Sequence, residues 1–311
     1  MKLLKRLEKT PKVYFFLHLP LGLVCIFIAF LFLNLLLIFW IQKSTLLPLN
    51  FTILPEAKLP IIKTEFIPQI SAKGAIIMDA DSKVILYSKN PSLRFSTAST
   101  TKIMTALTSL DYFKENDILT IKQATNEGSV LGFQEGQEFT YENLLYAMLL
   151  PSANDAALAI SQNYPGGKDE FIKKMNDKAR ALVLYNTHYL DPAGLEDSGD
   201  YTTPFDLARL ASFAVKNNIF KKIVGTKEKV IFDSIGNSYD LNNLNKLLGV
   251  DGVNGIKTGF TQEAGQVLVT SKEEEGKTVI IVVMGSEDRF LDTQKLLDLV
   301  SNNLTYLSIH P

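Results

Sequence analysis

Residues 95–107 read FSTASTTKIMTAL, and the texture changes inside them from a polar, hydroxyl-rich lead to a helical rhythm. Ile103, Leu107, Leu110 and Phe113 recur at i, i+4, i+7 and i+10, which predicts an amphipathic helix beginning near Ser99. Ser99 and Lys102, three apart, then share one helix face, so hydroxyl and amine can meet. A serine at this end also gains from the positive end of the helix dipole and from free backbone N–H groups able to hold an oxyanion. For Lys102 to take the Ser99 proton it must be largely neutral, which requires burial or a nearby cation to bring it down from about 10.4. Taken alone, S-x-x-K equally describes an N-cap serine followed by a surface lysine.

Working outward, KGAIIMDA (73–80) and KVILYS (83–88) are short β-rich runs joined at Asp81-Ser82, a hairpin signal. QVLVTS (266–271) and KTVIIVVMG (277–285) flank KEEEG in the same way. Between these hairpins the pattern is helical, with Phe171, Met175, Ala179 and Leu182 keeping a helical rhythm. Thr203-Pro204-Phe205-Asp206 supplies an N-cap, a first-turn proline and an acidic third position. Leu296, Leu297, Val300 and Leu304 predict a closing helix. The expected fold class is α/β of the α+β type: an antiparallel sheet assembled from both ends of the domain and packed against a helical cluster.

Composition restricts the chemistry. Among 311 residues there is one cysteine, Cys25, inside an apolar run, so disulfide frameworks and thiolate zinc clusters are excluded. Of the three histidines, His18 lies in that same run and His310 beside the C-terminus, leaving only His188 for a folded site. No metal site and no cofactor is expected, and a catalytic base other than histidine is required.

Val13 to Ile41 contains no Asp, Glu, Lys or Arg, and Leu21–Ile41 as a helix measures about 32 Å, close to the ~30 Å of a bilayer core. Lys2, Lys5, Arg6, Lys9 and Lys12 precede this run against Glu8 alone, and Lys43 follows it, so the positive-inside rule orients the N-terminus to the cytoplasm. A cleaved signal peptide is the competing reading, but IQKSTLLPL offers no A-x-A site. Outside residues 1–43 the chain carries 26 basic against 32 acidic residues, which argues against nucleic acid as a partner. The expected organisation is a cytoplasmic tail (1–12), a transmembrane signal-anchor (13–41), a stalk (42–70) punctuated by Pro48, Pro55, Pro60 and Pro68, and one extracytoplasmic domain (71–309).

Two further motifs accompany the first. Ser152-Ala153-Asn154, in MLLPSANDAALAI, falls between two helical runs, where a short polar loop can aim a hydroxyl and an amide into a cleft; in isolation it is also an ordinary capped helix connection. Lys257-Thr258-Gly259, in VDGVNGIKTGFTQEAG, precedes the C-terminal strand pair, where a strand can offer a cation and a donor to a carboxylate while glycine admits a substrate backbone. By itself it is equally a turn with a surface lysine.

Together and in this order, S-x-x-K, S-x-N and K-T-G form the signature of penicillin-binding proteins and serine β-lactamases. The sequence resembles most closely the serine D-alanyl-D-alanine carboxypeptidases, the low-molecular-weight penicillin-binding proteins, from about Ala72 to Leu304. GAIIMDADSKVILYSKN, ASTTKIMTAL, LLPSANDAA, FIKKMNDKA, LDPAGL, YTTPFDLARL and GIKTGFTQEAG carry the resemblance. It implies a β-lactamase/transpeptidase-like fold and an extracytoplasmic, membrane-held hydrolase of cell-wall metabolism acting on peptidoglycan stem peptides that end in D-Ala-D-Ala, with β-lactams as inhibitors.

By this resemblance Ser99 is the nucleophile, Lys102 the general base, Ser152 a proton relay to the leaving amine, and Asn154 a ligand of the acyl-chain amide that also positions Lys102. Lys257 is expected to depress the Lys102 pKa and attract the substrate carboxylate, with Thr258 as its hydrogen-bond donor and Gly259 completing the motif. The backbone N–H groups of Ser99 and Phe260 are the expected oxyanion hole. Arg289, in MGSEDRF, is a further carboxylate ligand by the same resemblance, or else a solvated surface arginine. The chain departs from the family pattern at Ala153, where glycine is usual, and at 251–255 (DGVNG), which is slightly extended. A class A β-lactamase is disfavoured because no E-x-x-L-N follows Ser152. A DD-endopeptidase or DD-transpeptidase shares all three motifs, and a non-catalytic wall-binding module remains the rival of a different class.

Overall fold

The computed structural model describes residues 21–45, 57–64, 67–195, 199–274 and 276–309. The expected cytoplasmic tail, residues 13–20 of the expected anchor, and residues 46–56 and 65–66 of the expected stalk lie outside these. The chain divides into two units, Met1–Pro55 and Glu56–Pro311. In the first, helix α1 (Leu21–Thr45) exposes apolar side chains all round, and it is long and apolar enough to cross a membrane.

The second unit opens with strands β1 (Ala57–Ile62), β2 (Gly74–Asp79), β3 (Ile85–Lys89) and β4 (Phe95–Ser96), then a 3-10 turn (Ala98–Thr100) leading into α2 (Thr101–Leu110). There follow β5 (Ile118–Thr120), β6 (Glu138–Thr140), α3 (Tyr141–Leu149), α4 (Asn154–Asn163), α5 (Gly167–Ala181), β7 (Tyr201–Thr202), α6 (Pro204–Ala214) and α7 (Asn218–Val224). The chain closes through β8 (Glu228–Phe232), β9 (Ser238–Asn242), β10 (Val253–Thr261), β11 (Gly265–Glu274), β12 (Lys277–Ser286), α8 (Arg289–Asn303) and β13 (Leu304–Ile309).

The main sheet is antiparallel, in the order β10-β11-β12-β2-β3, so strands from the two ends of the domain meet where β12 pairs with β2, Val282 opposite Ile76. Both faces of its centre are covered, and the two-residue period divides the apolar side chains between them. Ala75, Ile77, Val279, Ile281 and Val283 pack with Leu296, Leu297 and Val300 of α8. Ile76, Met78, Val267, Val269, Ile280 and Val282 belong instead to the larger core shared with the helices. That double burial explains why GAIIMD and KTVIIVVMG read as almost unbroken apolar runs.

The helix starts follow their cap chemistry. Thr203 accepts a hydrogen bond from Asp206 N at 3.1 Å with Pro204 in the first turn, Thr140 caps α3, and Asp288 caps α8 by accepting from Phe290 N and Leu291 N. His188 pairs its backbone with Tyr201 and stacks on that ring, a structural position.

Two stretches differ from the sequence expectation. Residues 57–62, assigned to the stalk, form β1 and pair antiparallel with β13, Ala57 opposite Ile309. Pro60 is tolerated because a two-stranded ribbon leaves one side of each strand unpaired, where a missing N–H costs nothing. Because it pairs with Ile62 of β1, Leu304 ends the helical rhythm and begins β13 instead of extending α8.

Candidate active site

Ser99 lies in the 3-10 turn directly before α2, not within the helix, and this turn places Lys102 one step inside α2. The residue before Ser99 is strained: Ala98 has φ +44° and is fully buried, and it bends the chain so that the serine leaves the strand at a sharp angle. Lys102 is completely buried, and its Nζ sits 3.1 Å from Ser99 Oγ, 2.7 Å from Asn154 Oδ1 and 2.7 Å from the Ala193 carbonyl. An ammonium has three donors for these three oxygens. A neutral amine has two, and when they go to Asn154 and Ala193 its lone pair is left for the Ser99 proton.

Burial brings the Lys102 amine down to about 7, against the opposing pull of the Asp191 and Asp155 carboxylates. Desolvation is therefore the main cause, where the resemblance had implied the Lys257 cation. Lys257 is held well below the ordinary lysine range by burial first, then by Lys102 and Arg289. Lys257 is itself buried, and its Nζ donates to the Thr258 carbonyl at 3.0 Å.

Ser152 and Asn154 come from the α3–α4 connection. Pro151 follows α3, and Ser152 takes φ +68°, a left-handed turn that lets α4 begin at Asn154. The buried Ser152 Oγ has no hydrogen-bond partner among the described residues. Asn154 is fixed at both ends, its Nδ2 donating to the Glu127 carbonyl at 2.8 Å and its backbone N to Ser129 O at 2.7 Å.

Strand β10 forms the opposite side. A Cβ on Gly259 would meet Ala98 Cβ at 3.2 Å and Ser99 N at 3.4 Å, so glycine here lets the strand lie against the Ser99 turn. Thr258 is buried and Phe260 is largely exposed. Arg289, in the first turn of α8, donates from Nη1 to the Gly259 carbonyl at 2.8 Å, which ties the helix start to the end of the K-T-G segment. All the sequence-predicted residues thus fall on the 3-10 turn and α2, the α3–α4 loop, β10 and the start of α8.

The sequence motifs did not reveal the loop after α5 that closes the site beside Lys102. Asp191 accepts from the backbone N of Ala193, Gly194 and Leu195, and Thr105 Oγ1 donates to the Pro192 carbonyl at 2.6 Å. The atom that meets Lys102 is a backbone carbonyl, which no side-chain motif can name. LDPAGL carried the family resemblance without pointing to this atom.

Residues 61–288 match the model of the family described as D-alanyl-D-alanine carboxypeptidase. The chain is 34% identical over 238 residues to the D-alanyl-D-alanine carboxypeptidase DacF of Bacillus subtilis, an alignment spanning 73% of this chain and 61% of that protein's length. It is 32% identical over 252 residues to a D-alanyl-D-alanine endopeptidase of Pseudomonas aeruginosa, covering 78% of this chain and 79% of the relative. Among solved structures, the Streptomyces K15 DD-transpeptidase superposes with a TM-score of 0.72 at 34% identity, covering 75% of this chain and 98% of that one.

Proposed function

The chain belongs to the D-alanyl-D-alanine carboxypeptidase family, and on that premise we propose that it removes the terminal D-Ala from peptidoglycan stem peptides through an acyl-enzyme on Ser99. The observation that carries this reading is the buried Lys102 amine within hydrogen-bond reach of Ser99 Oγ, Asn154 Oδ1 and the Ala193 carbonyl. In its neutral form Lys102 takes the hydroxyl proton as Ser99 Oγ bonds to the penultimate D-Ala carbonyl carbon. The negative oxygen that results is held by the Ser99 and Phe260 N–H groups.

Collapse of this intermediate breaks the C–N bond and expels the terminal D-Ala, its amine protonated from Lys102 through Ser152. The unpartnered Ser152 Oγ supports this relay, since a buried hydroxyl without a partner is costly and rare in a site with no use for it. Water, activated by the same base, then cleaves the ester and restores Ser99. Thr258, Lys257 and Arg289 receive the substrate carboxylate, whose charge favours the ammonium form of Lys257. β-Lactams acylate the same serine.

Helix α1 is the membrane anchor, with residues 1–12 in the cytoplasm and the enzyme domain outside; its length, its apolar surface and the basic residues before it support this topology. The domain then begins at β1, and the tether is the shorter stretch between α1 and Ala57.

The test uses the full chain in detergent. Fluorescent penicillin labels the wild type and does not label Ser99→Ala, and the wild type releases D-Ala from a model pentapeptide. Labelling that survives the substitution removes Ser99 from the mechanism. A second reading, DD-endopeptidase or DD-transpeptidase, has support from the relatives so described; cleavage of crosslinked dimers with pentapeptide left intact selects it.

A further inference from the structure

The loop carrying Asp191 meets the nucleophile segment at three points. The Ala193 carbonyl accepts from Lys102 Nζ at 2.7 Å, the Pro192 carbonyl accepts from Thr105 Oγ1 at 2.6 Å, and Gly194 packs on Ala98. The contact at Gly194 is so close that a Cβ there would lie 1.9 Å from the Ala98 carbonyl oxygen, and its φ of +80° already excludes most side chains. The loop's shape comes from one buried carboxylate. Asp191 Oδ1 accepts from Ala193 N at 2.6 Å and Gly194 N at 2.8 Å, while Oδ2 accepts from Leu195 N at 2.8 Å. Three successive N–H groups drawn to one side chain turn the Ala193 carbonyl outward from the loop and onto Lys102.

We propose that Asp191 is a positioning residue for the catalytic base: through the loop it folds, it holds the Ala193 carbonyl on Lys102. The inference rests on Lys102 being the general base. Its physical content is a balance. The charged groups facing Lys102 are Asp191 from this loop, Asp155 from α4 and Lys257 from β10, with Arg289 acting in turn on Lys257. Removing the Asp191 anion leaves burial less opposed, so the amine is neutral at lower pH. Removing the loop's organiser also lets the Ala193 carbonyl move, and a displacement of about 1 Å at a catalytic group is enough to cost up to ~100-fold in rate.

The two effects separate in one experiment on the full chain in detergent, the second-order rate of acylation by fluorescent penicillin followed across pH. Asp191→Asn is expected to lower the plateau rate roughly 10- to 100-fold and to move the acid limb to lower pH, with labelling stoichiometry unchanged. A purely structural role for Asp191 reduces the labelled fraction and leaves the limb in place, and that result overturns the proposal. If Asp191→Asn does not fold, Asp191→Glu keeps the charge but changes its reach: a lowered rate with the limb unmoved supports the proposal, and a wild-type rate overturns it. Should Ser99→Ala still be labelled, the mechanism beneath the proposal fails and both fall. Wild-type labelling and an inert Ser99→Ala, combined with an unaltered Asp191→Asn profile, remove the Asp191 role alone.

Discussion

Lys102 Nζ stands 3.1 Å from Ser99 Oγ at the end of a side chain from which water is fully excluded. Since burial holds this amine at about 7, the acylation rate should rise with pH and pass its half-maximum near there. The sign is fixed by the role: the protonated amine has no lone pair for the serine proton, so activity is lost on the acid side. A rate profile flat from about pH 5 to 9 contradicts Lys102 as base.

The same displacement has a consequence for stability. The folded state disfavours the proton that the unfolded chain keeps up to about 10.4, so the unfolded state binds more protons in between and Lys102 destabilises the fold most at low pH. Lys102→Met should therefore show its most favourable change in melting temperature relative to wild type near pH 6 and lose that advantage progressively towards about pH 10, while its acylation rate falls by about 10³-fold or more. Thermal melts of both proteins across pH measure the first effect and penicillin labelling the second.

Gly194→Ala places a methyl group where the Ala98 carbonyl oxygen already stands. The turn must open, with a loss of about 2–4 kcal/mol in chemical denaturation and a slower acylation in whatever folds, because Gly194 directly follows the Ala193 carbonyl that meets Lys102.

Asp292 offers the contrasting case, a carboxylate whose hydrogen-bond partners lie outside the candidate site. It accepts from Ser71 N, Ser71 Oγ, Ala72 N and Ser286 Oγ, and so fastens the start of the main sheet to α8. Burial pushes its pKa upward, but the donors of Ser286, Ser71 and Ala72 outweigh that and hold it below the usual carboxylate value. A lowered value means that its contribution is present at neutral pH and is lost as the pH falls through the folded-state pKa. Asp292→Ala should cost about 3 kcal/mol at pH 7, less in acid, and leave the acylation rate of the folded protein unchanged.

How far the sequence carried the reading depended on where each signal resides. Ser99, Lys102, Ser152, Asn154 and Lys257 are side chains whose types and order name their chemistry, and the helix rhythm from Ile103 together with the Thr203-Pro204 cap placed two of the helices around them. The apolar runs at 74–79 and 277–286 likewise announced the sheet's central strands. What escaped was of three kinds. The Ala193 carbonyl and the φ of Ser152 are properties of the backbone, invisible to any pattern of side chains. Strand β1 depends on a partner at the far end of the chain, and its Pro60 reads locally as extended coil. Which of burial and a nearby cation shifts Lys102 was also hidden, since the depth of burial follows from packing among the 3-10 turn, α4 and the loop at 191–195.

The pairing of Ile76 with Val282 bears on how the protein is made. Strands β2 and β3 are synthesised early, yet the neighbour that completes the sheet arrives roughly 200 residues later, and long-range pairing of this kind is slow. Until then β2, apolar on both faces, presents an unpaired edge open to the wrong partner. The turn carrying Ser99 lies against β10, which arrives in the same late stretch, so a chain interrupted before β10 has neither a complete sheet nor an assembled site, and activity itself reports that synthesis passed these strands.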